Sequence, residues 1–162
     1  MELVKGEKVK LDSKDKKIIE QLQKNCRQTI AEIAKATKLP RDVVVYRIKK
    51  LEQNKVIRGH HTFLNPAKLG YPLYSYVFFS CYNLKPDEES KFINYLKGHK
   101  NLIYVSKNSG EYDFTIGVCA KDYLEFDEII REIRQRFIDV IKEIKITPVI
   151  QEYKVDYMVD LI

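Results

Sequence analysis

The sequence predicts an α+β protein made of an N-terminal winged helix-turn-helix and a C-terminal ferredoxin-like βαββαβ sandwich. Apolar residues recur at helical spacing three times within the first 54 residues, and strand-like and helix-like runs then alternate in the βαββαβ order. The charge is also divided unevenly between the two halves of the chain. Residues 1–70 hold 17 Lys/Arg against 8 Asp/Glu, whereas residues 71–162 hold 12 against 15, so the halves carry +9 and −3.

This division predicts a DNA-binding domain over residues 1–60, a linker strand over 61–72, and a separate α/β domain over 73–162. A basic domain suits a polyanion, because each Lys or Arg that meets a phosphate releases condensed counterions. No uncharged apolar run approaches the roughly 18 residues of a membrane span, and the first six residues lack the apolar core of a secretion signal. We therefore expect a cytoplasmic protein without membrane contacts.

The three cysteines, Cys26, Cys81 and Cys119, are odd in number and far apart, and none belongs to a Cys/His cluster of zinc-ligand spacing. Cys81 and Cys119 lie in apolar, strand-like runs, where a reduced Cys packs as a small hydrophobe. The sequence predicts no metal and no cofactor.

The first two helices are predicted from their N-caps. Asp12 or Ser13 caps a helix that ends near Asn25, with Ile18 among its apolar residues. Thr29 begins a second helix through a capping box with Glu32, in which each side chain accepts a hydrogen bond from the other residue's amide. This helix extends toward Thr37.

The third helix, about Arg41 to Asn54, follows Pro40, which suits the start of a helix. Val44, Ile48 and Leu51 form its core stripe. The opposite surface is predicted to enter the major groove, with Tyr46 and Lys49 placed for base edges and Arg47 and Lys50 for phosphate. The candidate DNA-binding residues are Thr29, Arg41, Asp42, Val45, Tyr46, Arg47, Lys49, Lys50 and Arg58.

A small wing is predicted from two β-prone runs, Val56-Ile57 and residues 60–64, which flank Gly59 and stop at Asn65-Pro66. Arg58 and one or both of His60 and His61 are candidates for contact with the DNA backbone. We do not expect the two histidines to hold a metal, because no Asp, Glu or Cys stands at ligand spacing nearby.

The second half contains four predicted strands and two predicted helices. The strands cover residues 74–82, 102–106, 112–118 and 141–158, and a turn at Asn108-Ser109-Gly110 joins the middle two. One helix runs from Pro86 to Gly98 and the other follows Asp122. The helices cover one side of the sheet, so its other face, with Tyr74, Tyr76, Phe78 or their alternates, needs a further protein surface. That face predicts a homo-oligomer.

These residues resemble the Lrp/AsnC family, also called feast/famine regulatory proteins, over nearly the whole chain from Leu11. No single motif is specific, but their order is. The matching residues are Leu11-Asp12 with Asp15, Ala31-Glu32-Ile33-Ala34, Leu39, the run Val44-x-x-Arg47-Ile48-x-x-Leu51-Glu52, Val56-Ile57, Leu69-Gly70 and Gly110-Glu111-Tyr112-Asp113.

The resemblance implies a transcription regulator that binds double-stranded DNA sequence-specifically. It also implies a dimer built by sheet-to-sheet packing, assembly into tetramers or octamers, and an amino acid or related metabolite bound between dimers. The implied effector residues are Gly110, Tyr112 and Asp113. The glycine exposes backbone amides to a ligand carboxylate, and the aspartate accepts from an α-amino group.

The chain departs from the family pattern at four positions. Pro40 and Val43 replace a Ser and a Thr that contact phosphate, so two hydroxyl contacts are missing. Lys55 replaces a glycine before the wing. Asp139 replaces a glycine at which the backbone approaches the ligand closely.

Three other functions are compatible with parts of the sequence. Siroheme decarboxylases resemble this family in both domains, but they carry an Arg-Arg pair and a Phe-Pro where this chain has Arg58-Gly59 and Arg27-Gln28. Only His60-His61 favours that activity. An architectural protein that coats DNA and a sensing partner that has lost DNA binding remain open. We expect a regulator and not an enzyme.

Overall fold

The computed structural model describes residues 6–155 and 158–162. The chain divides into two compact units, Met1–Thr62 with Lys154–Ile162, and Phe63–Tyr153. The final residues, which the sequence assigned to the α/β domain, therefore cluster with the N-terminal helices. The amide N–H of Met158 donates to Oε1 of Gln23 at 3.1 Å, and a short 3₁₀ helix follows at Val159–Leu161.

The first unit contains three helices, α1 (Ser13–Lys24), α2 (Ile30–Thr37) and α3 (Arg41–Gln53). Asp12 caps α1 by accepting from the amides of Lys14 and Asp15 at 2.8 and 2.9 Å. Thr29 caps α2 through the predicted box with Glu32. Because Pro40 offers no side-chain acceptor, α3 begins without a side-chain cap.

A small apolar core joins these helices. Ile18, Ile33 and Val44 are fully buried, and Leu51 is nearly so. Ile48 is partly buried against the same cluster. The predicted stripe on α3 is therefore its inner face, because residues three and four apart share one side of a helix.

The predicted wing strands do not form, and neither does the linker strand. The described residues between α3 and Leu73 contain no strand, only a short 3₁₀ helix at Ala67–Leu69. The amides of Val56 and Ile57 both donate to the carbonyl of Leu51, and Lys55 takes a positive φ of 55°. The backbone amides of these two β-prone residues end α3, and their side chains pack on its core. They therefore cannot pair with a second strand.

The second unit is the predicted βαββαβ fold. Its elements are β1 (Leu73–Cys81), α4 (Pro86–Gly98), β2 (Leu102–Lys107), β3 (Phe114–Ala120), α5 (Tyr123–Arg136) and β4 (Ile141–Pro148). The sheet order is β2-β3-β1-β4, with every neighbouring pair antiparallel.

The last strand is shorter than predicted, ending at Pro148 rather than Met158. Pro148 pairs with Ser75, and the amide of Val149 still reaches the carbonyl of Tyr74 at 2.9 Å. Because β1 begins at Leu73, the described residues beyond this point have no partner strand. Residues 156 and 157 of the predicted strand lie outside the described residues.

Both helices of this unit cover one side of the sheet. Phe92 of α4 is fully buried, with its ring edge-on to Phe79, Phe114 and Phe137 at centroid distances of 5.7, 5.3 and 4.9 Å. Cys81 and Cys119 lie within β1 and β3, where Cys119 is buried and Cys81 packs against the core, as the sequence predicts; burial raises the pKa of Cys81 to about 11. In the described part of the chain, no helix is long and apolar enough to cross a membrane.

Candidate nucleic-acid interface

The outer face of α3 carries four exposed residues at helical spacing: Asp42, Val45, Tyr46 and Lys49. Val45 is 49% exposed and Tyr46 66% exposed, so neither is needed to fill the core. Arg41 and Lys50 are exposed at the flanks of this face. Because this face has an apolar and aromatic centre and basic flanks, the helix can contact base edges and phosphates at the same time.

Arg47 lies on a different side of α3, where it joins the start of α1. Its Nη1 donates to both carboxylate oxygens of Asp12 at 2.8 Å and to Oδ1 of Asp15 at 2.7 Å. The side chains of Arg47 and Asp15 are only 20% and 12% exposed. We call Arg47, Asp12 and Asp15 the clamp.

The clamp changes the expected role of Arg47. The hydrogen bond to Asp15, more than any other contact, raises the pKa of Arg47. The backbone amide of Asp15 and then Arg47 lower the pKa of Asp12. With Nη1 held by three carboxylate oxygens, Arg47 fixes α3 against α1 instead of facing outward, which argues against the predicted phosphate contact.

The position of Arg47 in the helix was the signal for this role. It stands three residues after Val44 and four before Leu51, beside the buried stripe, whereas Tyr46 lies on the opposite side. Asp12 and Asp15 are the two acidic residues of the motif Leu11-Asp12 with Asp15 at the start of α1. Their pairing with an arginine 32 and 35 positions later is visible only in three dimensions.

Thr29 and Arg58 are the two predicted DNA contacts outside α3. The Thr29 hydroxyl accepts from the Glu32 amide at 3.2 Å and donates to Oε2 of Glu32 at 2.8 Å. The hydrogen bonds that the Glu32 carboxylate accepts, first from the Thr29 amide and then from the Thr29 hydroxyl, lower the pKa of Glu32. Thr29 is exposed at the N-terminus of α2, where backbone amides favour an anion. Arg58 is exposed in the segment after α3.

In the second unit, the open sheet face is aromatic. Tyr74, Tyr76 and Phe78 alternate with buried residues along β1. Of the two predicted sets, these three residues therefore lie on the open face, and their alternates lie on the covered face. The Tyr74 and Tyr76 rings lie 5.3 Å apart, and Tyr104 of β2 lies edge-on to Tyr76 at 6.1 Å. Burial, followed by a hydrogen bond with Tyr76, raises the pKa of Tyr74. We call Tyr74, Tyr76 and Tyr104 the tyrosine layer.

Gly117 makes this layer possible. It pairs with Tyr76 of β1 and Tyr104 of β2, in the middle of the open face. A Cβ there would lie 3.0 Å from Cβ of Tyr104 and 3.1 Å from the Tyr74 ring and hydroxyl. Gly117 and Tyr104 could not be identified as part of this face from the sequence, because only the register of the three strands brings them together.

The loop between β2 and β3 contains the predicted effector residues. Gly110 takes a φ of +143°, and nothing lies within 4 Å of where its Cβ would be. Tyr112 packs on Phe78 with ring centroids 5.4 Å apart, and Nζ of Lys145 lies 5.6 Å from its ring. Tyr112 and Asp113 precede β3, instead of opening it as predicted.

Asp113 is already engaged with the backbone. Its Oδ2 accepts from the Cys81 amide at 2.7 Å, at the point where the β1–β4 register shifts. Its own amide donates to the carbonyl of Phe79 at 2.8 Å. A ligand amino group would therefore have to share this carboxylate with Cys81.

Comparisons with known proteins cover both units. A model of the AsnC-type helix-turn-helix domain matches residues 11–52, and a model of the Lrp/AsnC ligand binding domain matches residues 76–159. The HTH-type transcriptional regulator FL11 of Pyrococcus furiosus is 30% identical over 120 residues, which are 74% of this chain and 78% of that protein. The regulator Ptr1 of Methanocaldococcus jannaschii is 27% identical over 89% of this chain and 95% of its own length.

Two solved structures have a similar fold. A transcriptional regulator of Neisseria meningitidis, in complex with L-Met, superposes with a TM-score of 0.80 at 22% identity, covering 90% of this chain and 94% of that one. AsnC of Escherichia coli superposes with a TM-score of 0.77 at 20% identity, covering 93% and 99%.

Proposed function

The chain belongs to the Lrp/AsnC family of transcriptional regulators, and from that premise we propose that it binds operator DNA sequence-specifically under the control of a small ligand. Its two parts are a DNA-binding helix-turn-helix and a ligand-binding domain. The observation that carries the proposal is the outer face of α3, where Val45 and Tyr46 are exposed although the same helix buries Val44 and Leu51.

The proposed contacts fall into two groups. Tyr46 and Lys49, at the centre of the outer face, take base edges, with Asp42 and Val45 beside them. Phosphate contacts fix the register and carry little sequence information. The proposed phosphate contacts are Thr29, Arg41, Lys50 and Arg58. Arg47 is not among them, because the clamp holds it.

Selection of bound fragments from native genomic DNA tests this function. We expect one enriched motif, bound at least 10³-fold more tightly than random duplex at fixed salt, as specific regulators typically are. Equal affinity for all duplexes would instead indicate an architectural protein. No DNA binding at any salt concentration would contradict the proposal and favour a sensing partner.

We further propose that the open sheet face joins two copies of the chain, and that dimers assemble into tetramers or octamers. The tyrosine layer supports this assembly, because a contiguous aromatic surface is costly to leave in water. Sedimentation of the full-length protein should give a dimer or larger. A monomer at micromolar concentration would contradict it.

The proposed ligand is an amino acid or related metabolite, bound at Gly110, Tyr112 and Asp113. The support is the positive φ of Gly110, the open space beside it, and the L-Met bound by the similar Neisseria regulator. A carboxylate on the exposed amides and an ammonium on Asp113 match the two ends of a zwitterion.

Calorimetry against a panel of amino acids tests the ligand. Asp113→Asn is the useful variant, because an amide oxygen still accepts from Cys81 while the charge is lost. We expect it to bind DNA normally and to lose any response to the amino acid. If no amino acid binds the wild type, the regulator is ligand-independent and Asp113 serves only the loop.

We also propose that the protein regulates transcription and does not catalyse a reaction. The named relatives are regulators, and His60, whose pair with His61 favoured haem-precursor chemistry, has its Nε2 3.4 Å from Oε1 of Glu52. Mixing the protein with siroheme should leave the absorption spectrum of siroheme unchanged. A spectral shift with product formation would assign the enzyme activity instead.

A further inference from the structure

A valine is energetically unfavourable at the exposed helical position that Val45 occupies. It is the third of three successive valines in α3, and β-branched side chains lose rotamer freedom in a helix. Val44 is fully buried and Val43 is partly buried, so packing accounts for both. Val45 is 49% exposed, and the described part of the chain gives it no place in either apolar core.

The surroundings of Val45 indicate the kind of surface that it meets. Tyr46 follows it on the outer face, and Asp42 and Lys49 stand three residues before and four after it. Arg41 and Lys50 are exposed at the flanks. A basic frame around a small apolar centre fits a groove of DNA better than an apolar protein surface.

The major groove offers one apolar group to such a side chain, the C5-methyl of thymine. Resting on the proposed function, we propose that Val45 recognises thymine by packing its two methyl groups against that methyl. Val45 then makes the operator T-specific at one position in each half-site.

Deoxyuridine provides the test, since it pairs as thymine does but lacks the methyl group. The full-length protein is first used to select a motif from a random pool of double-stranded DNA. Each thymine of the selected duplex is then replaced in turn by deoxyuridine, and the dissociation constants are measured at one salt concentration. We expect one position per half-site to lose about fourfold in affinity, the effect of burying one methyl group.

Val45→Ala gives the matched measurement, because alanine favours the helix and shortens only this side chain. Because both copies in a dimer carry the change, the affinity of this variant for the unmodified duplex should fall to that of the wild type on a duplex with deoxyuridine at both half-site positions, and deoxyuridine should then have no further effect. Leu124→Ala removes an apolar side chain that is 69% exposed on α5, and should leave every affinity unchanged.

Each outcome supports or contradicts one claim. Failure to select any motif removes the proposed function and this inference with it. A selected motif that tolerates deoxyuridine everywhere, or a Val45→Ala protein that remains fully sensitive to deoxyuridine, overturns the inference alone. A Val45→Ala protein that no longer self-associates would place this residue against a second copy, which also overturns the inference.

Discussion

The two units of this chain are stabilised in different ways. Among the described residues, the second unit buries an extensive core in which Phe92 packs edge-on against three other phenyl rings. The first unit buries a much smaller cluster around Ile18, Ile33 and Val44. Helix starts are capped in both units, but the first unit adds the clamp, which joins α3 to the start of α1.

This difference shows how a small helical unit stays folded while leaving a charged surface exposed. The clamp and caps use side chains next to the core, so the outer face of α3 is not needed for folding. The second unit has the opposite arrangement, because aromatic side chains outside its core lie on the open sheet face. The first unit is therefore suited to a polyanion and the second to another protein surface.

The largest predicted effect concerns salt. With about six phosphate contacts per complex, operator affinity should fall roughly 10³-fold between 50 and 200 mM salt. The basic excess of residues 1–70 is the reason. Fluorescence anisotropy with labelled operator measures the slope of log affinity against log salt. A flat slope would show that the basic half does not contact phosphate.

The second prediction separates folding from binding on the same helix. Arg47→Gln should lower the free energy of unfolding of the first unit by about 2 kcal/mol, because Asp15 is left partly buried without its partner. Lys49→Gln removes the same charge from an exposed position, so unfolding should be unchanged while DNA affinity falls. Urea unfolding of both variants checks this, and equal stabilities would mean that the clamp is not structural.

The third prediction tests the tyrosine layer. Gly117→Ala places a methyl group against Tyr74 and Tyr104, so the rings must shift, at a cost of about 1 kcal/mol. We expect weaker self-association, measured by sedimentation equilibrium. Gly98→Ala is the control, since nothing lies within 4 Å of that position. Unchanged self-association of Gly117→Ala would place the interface elsewhere.

The smallest predicted effect is the pH dependence of the first unit. The folded pKa values of Asp12 and Glu32 lie below their ordinary values of 3.8 and 4.5. Each group therefore stabilises the fold above its ordinary pKa, and this stabilisation is lost as pH falls through the folded pKa. Thermal unfolding followed from pH 6 to pH 3 should show decreasing stability below about pH 4.5.

Asp12→Asn is the matched variant for this titration. It keeps an acceptor for the Lys14 and Asp15 amides but cannot titrate, so its stability should vary less with pH. An unchanged pH profile in this variant would assign the acid sensitivity to other carboxylates.

The sequence predicted the elements whose signals are local. The cap at Thr29, the cap of α1 at Asp12 as one of two alternatives, the start of α5 after Asp122 and the stripe of Val44, Ile48 and Leu51 were predicted, because capping and helical periodicity involve neighbours within four residues. The end of the last strand was not readable, because it depends on where β1 begins. The wing was wrongly predicted for a similar reason, since β-propensity does not tell whether a partner strand exists.

Of the candidate site, the sequence separated the inner and outer sides of α3 correctly at Val44 and Tyr46. It assigned Arg47, together with Lys50, to phosphate from its position on the helix. Only the fold brings Asp12 and Asp15 to it. The same holds for Gly117, whose role depends on two strand registers.

The central claim is that the outer face of α3 recognises operator sequence. The most direct test measures the affinities of Tyr46→Ala and Lys50→Ala for the selected operator and for random duplex at one salt concentration. We predict that Lys50→Ala weakens both equally, whereas Tyr46→Ala reduces the preference for operator by about 1–3 kcal/mol. Equal losses on operator and random DNA for both variants would contradict the claim and place the recognition surface elsewhere.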